Sequence, residues 1–176
     1  MARSTAIRKG AVHHKAIELR KAPVVPIHGR IPEDVSNKNL ARFEDFDFKA
    51  FNKQDWDLYR EILSPDVVIT YPDGRRVSGI EEDIKGLKNM FVAIPDFRVT
   101  GHSVRIGSGD WTAVTGIVEG TFTGTMTAPD GTTIPPTGKS FKIGMCTVAR
   151  WKDGRIVEEM LFWDGHEYLR QMGLAK

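Results

Sequence analysis

Asp164 is the residue best placed to move a proton. It stands where a strand, Arg155–Trp163, runs into a short helix within GRIVEEMLFWDGHEYLRQMG. A carboxyl at such a joint, set against an apolar pocket, has its pKa raised by desolvation and exchanges protons near neutrality. The same residue has a second reading. Glu167, three positions on, completes a capping-box pattern, so Asp164 also fits a helix N-cap. Strand alternation puts Glu159, Leu161 and Trp163 on one face, and Glu158, Met160 and Phe162 on the other. Glu159 reads as a surface or pair-forming charge unless its face turns inward. In the preceding strand, Ile143, Met145, Thr147 and Ala149 share a face. If these two sets line a concave side, its floor is apolar with one threonine hydroxyl, and Asp164 lies at the rim.

Other chemistries have less support. The histidines are His13, His14, His28, His102 and His166. None stands in HExxH or a comparable spacing, so no metal site is expected. His166 reads as an exposed first-turn residue. Cys146 lies mid-strand between Met145 and Thr147, the setting of an inert core thiol. There is no GxSxG, GxGxxG or phosphate-binding loop, so neither covalent catalysis nor a nucleotide cofactor is expected, and the cofactor expectation is none.

The chain of 176 residues suits one domain with a real core, and a charged share of 27% is of globular type. Its formal net charge of +2 is unevenly placed: residues 1–42 carry +6 and the remainder −4. The basic excess belongs to an N-terminal arm, residues 1–36, ahead of a domain at 37–176. The arm lacks aromatic residues to stack on bases, so nucleic acid is not an expected partner. Val12–Arg20 fits a short helix, and the three prolines of APVVPIHGRIP favour an extended path. A single cysteine allows no internal disulfide. No apolar run approaches the ~20 residues of a membrane span, and no continuous apolar leader is present, so a cytoplasmic protein without a membrane partner is expected.

The elements that must position these residues begin with a helix over Asn39–Lys53, with Ser36 and Asn37 as candidate caps. Its apolar residues, including four phenylalanines, cover most of its circumference, which predicts burial on more than one side. Asp55 caps a second helix, WDLYREIL, that stops at Ser64-Pro65. DVVITYP reads as a strand, and Asp73-Gly74 as the tip of the turn after it. Ile80, Ile84, Leu87 and Phe91 mark one face of a third helix over Gly79–Ile94, with Glu81, Glu82 and Asp83 in its first turn opposing the helix dipole. Strands follow: FRVTGHSVRIG, then WTAVTGIVEGTFTGTM, in which Gly116, Gly120 and Gly124 predict bends or close approach. After a long connection, TAPDGTTIPPTGK, come SFKIGMCTVARW and IVEEMLFW. Helices followed by an antiparallel meander give an α+β architecture, and a curved sheet over helices encloses a default ligand site.

The succession AFNKQDWDLYREILSPD, TYPDG, GIEEDIKGL, PDFRV, GTFTG and DGRIVEE…D…LRQMG resembles the SnoaL-like polyketide (ester) cyclases of the nuclear transport factor 2-like superfamily. The resemblance covers about residues 40–174. It implies a cone-shaped α+β barrel: a curved antiparallel sheet around a hydrophobic pocket capped by helices, often dimeric. It also implies ring closure by intramolecular aldol condensation without metal or cofactor. In that family an aspartate of the last strand is the acid/base, helped by a histidine on the preceding strand. Those positions here are Leu161 and Thr147, neither of which does that chemistry, and Asp164 is the aspartate shared widely in the family.

The expectation is therefore a cofactor-independent cyclase, isomerase or lyase acting on a hydrophobic, oxygenated small molecule. Asp164 would shuttle the proton. Tyr71, Phe91, Met145, Thr147, Leu161 and Trp163 would shape the binding site. The alternatives are a non-catalytic binding module and a dimerisation module on the same fold, and a homodimer is the expected assembly.

Overall fold

The structure is a computed structural model that describes residues 33–127 and 131–176. The readings of the arm over residues 1–32, and of positions 128–130, lie outside the described residues. Helix α1, Glu33–Asp45, runs directly into a π-helical turn, Phe46–Phe51. The helix is thus under way before Ser36 and Asn37, which lie inside it instead of capping it. Asp55 does cap α2, Trp56–Ile62: its Oδ1 accepts from the Leu58 amide at 3.0 Å. Strand β1, Leu63–Thr70, takes in Ser64 and Pro65, where only a helix stop was expected. A turn leads to β2, Arg76–Ser78, and then to α3, Ile80–Ala93.

The second half is β3, Arg98–Ser108; β4, Trp111–Thr121; a small hairpin of β5, Met126–Thr127, and β6, Thr133–Ile134; β7, Ser140–Lys152; β8, Arg155–Trp163; and α4, Gly165–Gln171. Six strands form one sheet in the order β2-β1-β8-β7-β4-β3. The fold is α+β, with a curved sheet and the N-terminal helices against its inner face. Its pairs are antiparallel except β1 with β8, which run parallel. That pairing brings the first long strand beside the last.

Curvature comes from local irregularities. β3 shifts register on both sides of His102, and Gly101, at φ +84°, supplies a backbone conformation that side chains disfavour. Gly116 and Gly124 mark close approaches. A Cβ on Gly116 would stand 3.1 Å from the Gly101 carbonyl oxygen, and one on Gly124 only 1.9 Å from that of Val92. β8 is shifted against β7 between Arg150 and Trp151, which lets both Ile156 and Glu159 turn inward.

The interior has two apolar clusters. One joins Phe43, Phe46, Tyr59, Ile62, Ile84 and Trp151 between the helices and one half of the sheet. The other joins Ile94, Val118, Phe122, Phe141 and Met172 at the opposite end. Tyr71 and Leu161 border the first, Met145 and Trp163 the second, and all four are half-buried.

Candidate active site

The inner face of the sheet can be read in rows. Register aligns Ile69, Glu159, Ala149 and Thr112 in one row; Leu161, Thr147 and Val114 in the next; and Trp163, Met145, Gly116 and His102 in the third. Four of the expected binding residues therefore stand together: Thr147 faces Leu161, and Met145 faces Trp163. Tyr71 joins them through an edge contact with Trp163, ring centroids 6.3 Å apart. Phe91 does not share that contact. It packs with Phe51, Trp56 and Phe97 between α3 and the π-helical turn.

Asp164 is exposed. Its Oδ1 accepts from the Glu167 amide at 2.9 Å, so the cap is the role the structure realises. Glu167 turns instead to Arg170 and Gln171, which hold its carboxyl down at about 2.

The inward carboxyl of β8 is Glu159. It is 5% exposed and flanked by Ile69 and Ala149, and no hydrogen bond reaches it from the described residues. The hydroxyl oxygen of Thr112, in the same row, accepts from the Trp151 indole N–H at 2.9 Å. Burial, and then the charges of Asp83 and Asp47, push the Glu159 carboxyl well above the ordinary carboxylate range, which favours its protonated form. Thr147, also buried, has no hydrogen-bond partner for its hydroxyl among the described residues.

Asp83 closes this group from α3. Its Oδ2 accepts from Tyr59 Oη at 2.7 Å and its Oδ1 from Tyr71 Oη at 3.3 Å. Burial raises its pKa, and the two phenol donors work against that rise. Tyr59 and Tyr71 are both pushed upward by burial and by the Asp83 charge, so they are held as donors. Arg75 lies over the Tyr71 ring, 4.1 Å from its centroid.

A third polar element joins the π-helical turn to β3. His102 Nε2 lies 2.7 Å from Asp47 Oδ2; the imidazole is buried and the Asp47 side chain is 13% exposed. Burial raises the Asp47 pKa, opposed by its hydrogen bond to His102. The imidazole rests on the Phe48 ring at 4.6 Å and meets Phe43 edge-on at 5.8 Å. Its Nδ1 is buried without a partner among the described residues.

Sequence reading missed Asp83, Asp47, Tyr59 and His102 and left Glu159 open. Asp83 could have been found from its spacing: with Ile80, Ile84, Leu87 and Phe91 it completes one face of α3. Asp47 lies four positions from both Phe43 and Phe51. Among the described residues, no group of three or more His, Cys, Asp or Glu side chains is arranged to hold a metal ion, and no helix is long and apolar enough to cross a membrane.

What this arrangement can do is acid–base chemistry in an apolar setting. It offers a buried carboxyl whose pKa is raised, two phenol donors fixed on a carboxylate, and half-buried apolar and aromatic surface beside them. Comparisons with known proteins give the family and the fold. The family model described as SnoaL-like polyketide cyclase matches residues 38–172. Among solved structures, a protein assigned as a SnoaL-like polyketide cyclase from Jannaschia sp. CCS1 superposes with a TM-score of 0.72 at 20% identity, covering 84% of this chain and 100% of that one. IdmH from Streptomyces antibioticus, assigned as a polyketide cyclase, gives a TM-score of 0.61 at 27% identity, over 78% of this chain and 98% of its own. An LEH-like epoxide hydrolase of M. tuberculosis gives 0.60 at 17%, over 78% and 91%, and shares the fold. No curated protein matches.

Proposed function

Because the chain belongs to the SnoaL-like polyketide cyclase family, we propose that it is a cofactor-independent enzyme that moves protons on a hydrophobic, oxygenated small molecule, in a cyclase, isomerase or lyase step. The observation that carries this is Glu159: a buried carboxyl without a hydrogen-bond partner among the described residues, one inner position from Leu161 on β8. Glu159, instead of Asp164, is the acid. Tyr71, Thr147, Leu161, Met145 and Trp163 hold the ligand, with the Thr147 hydroxyl free to meet one of its oxygens. The assignment of IdmH as a polyketide cyclase supports a ketone-bearing ligand. We carry a cytoplasmic location and a homodimer in the same proposal. Val104, Ile106 and Trp111, exposed on β3 and β4, support the dimer, and a monomer in sedimentation would count against it.

A second reading is a binding module without catalysis. The apolar side chain of Leu161, at the position where the resemblance places the acid, favours it. The two separate on a simple assay: exchange of the α-protons of 2-tetralone, a hydrophobic ketone, in D2O. The enzyme reading expects the wild-type protein to speed exchange above buffer. Glu159→Gln should remove ~10²-fold or more of that rate, the usual share of general acid–base catalysis, while Asp164→Asn keeps it. Thermal stabilisation by the ketone without exchange would leave the binding module.

A further inference from the structure

We infer that His102, oriented by Asp47, is the proton-accepting group that works opposite Glu159. This rests on the enzyme reading above and adds the base to its acid. The case is geometric. Three separate irregularities converge on one imidazole. The register shifts of β3 around Gly101 turn His102 inward from a strand whose other residues are largely exposed. Gly116, opposite His102 in register, leaves room that a Cβ would close: such an atom would stand 3.1 Å from the Gly101 carbonyl oxygen, 3.3 Å from Val99 and 3.7 Å from the ring. The π-helical turn brings Asp47 to Nε2 at 2.7 Å, and π-turns inside helices recur at functional sites.

The pair has a definite polarity. A proton on Nε2 is shared with Asp47 Oδ2. Nδ1 is then a bare lone pair, which a buried site tolerates better than an orphaned N–H. Phe48 and Phe43 fix the ring against rotation. A carboxylate that sets the tautomer and steadies the imidazolium, with the other ring nitrogen free, is the arrangement of a general base. The Asp47 charge also adds, after burial and Asp83, to the rise of the Glu159 pKa. His102 shares its row with Gly116, Met145 and Trp163, the half-buried surface assigned to the ligand.

The step balances without a further reactant. Nδ1 takes a proton from a carbon next to a carbonyl. The released C–H pair forms the new carbon–carbon π bond, and the carbonyl π pair moves to oxygen, which takes the proton of Glu159. The products are an enol, an imidazolium and a glutamate, and protons return through solvent. His102 is thus a catalytic residue and Asp47 a positioning residue.

The test uses the full chain and 2-tetralone exchange in D2O. Folded His102→Gln is expected to lose ~10²-fold or more of the catalysed rate, and Asp47→Asn an intermediate amount with KM little changed. If folded His102→Gln exchanges like the wild type while Glu159→Gln does not, the inference about His102 is overturned and the enzyme reading stands. If neither substitution lowers exchange, or the wild type never exceeds buffer, both are overturned. Should His102→Gln fail to fold, long-range 1H–15N spectra of the wild type decide. A bare Nδ1 at rest, whose resonance moves when 2-naphthol supplies an O–H donor, is expected. A resting Nδ1–H, or a resonance that does not move, overturns the inference.

Discussion

Glu159 and Leu161 share the inner face of β8, and only Leu161 stands opposite Thr147. Two residues along a strand is roughly 7 Å, so the carboxyl lies one row further toward the apolar cluster around Trp151 and Ile156 than a carboxyl at position 161 would. The displacement explains its chemistry. At position 161 a carboxylate would face a hydroxyl. At 159 it faces Ala149 and Ile69 and has no hydrogen bond from the described residues.

Stability should therefore fall as pH rises. The folded pKa of Glu159 lies well above its ordinary 4.5. Below 4.5 both folded and unfolded chains hold the proton and the group is neutral in its effect. Between 4.5 and the raised folded value the native state binds the proton more tightly, so each pH unit removes about 1.4 kcal/mol. Glu159→Gln should flatten this slope in denaturant titrations between pH 5 and 8 and be more stable than the wild type at the upper end. A residual slope of the same sign will remain, because burial also raises Asp83 and Asp47.

The two phenols on Asp83 should not be equivalent. Tyr59 donates at 2.7 Å and is 2% exposed, whereas Tyr71 donates at 3.3 Å and is half-buried. Tyr59→Phe should cost about 1.5–3 kcal/mol, the range for a hydrogen bond to a charged group. Tyr71→Phe should cost less than half of that. Urea unfolding at pH 7 measures both, and equal losses would contradict the geometry.

Asp164→Ala should behave as the loss of a cap. It removes the acceptor of the Glu167 amide and should cost about 1 kcal/mol, with faster amide exchange in the first turn of α4. Ketone exchange should be unchanged.

Much of this was legible in the sequence. The alternation that groups Glu159 with Leu161 and Trp163 is the alternation observed, and Asp55 and Asp164 cap the helices they were read to open. Three features escaped for physical reasons. Asp83 looked like a partner of the helix dipole, because three acidic residues in a row hide which one points inward. Glu81 pairs with Arg60 and Glu82 with Lys85, and only Asp83 turns in. His102 sits in a strand whose parity is broken at Gly101, so alternation could not assign its face. The parallel pairing of β1 with β8 depends on contacts between distant strands, which no local pattern records.

Two glycines should respond in opposite ways to alanine. At Gly124 a Cβ would meet the Val92 carbonyl oxygen at 1.9 Å, a backbone atom that cannot step aside, so Gly124→Ala should cost about 3 kcal/mol or more. Gly86 lies in exposed α3 with open space around it, and Gly86→Ala should gain about 0.5–1 kcal/mol through helix propensity. Melting temperatures of the two variants check both signs.

The β1–β8 pair also bears on how the molecule assembles. Ile69 and Glu159 are neighbours in the sheet yet about 90 residues apart in sequence. Joining them closes about half of the chain into a loop, so this pair belongs among the last contacts to form. When β1 docks beside β8, the carboxyl of Glu159 loses water. Glu159 then weighs on the finished state more than on the folding barrier, and its replacement by glutamine would show mainly as slower unfolding.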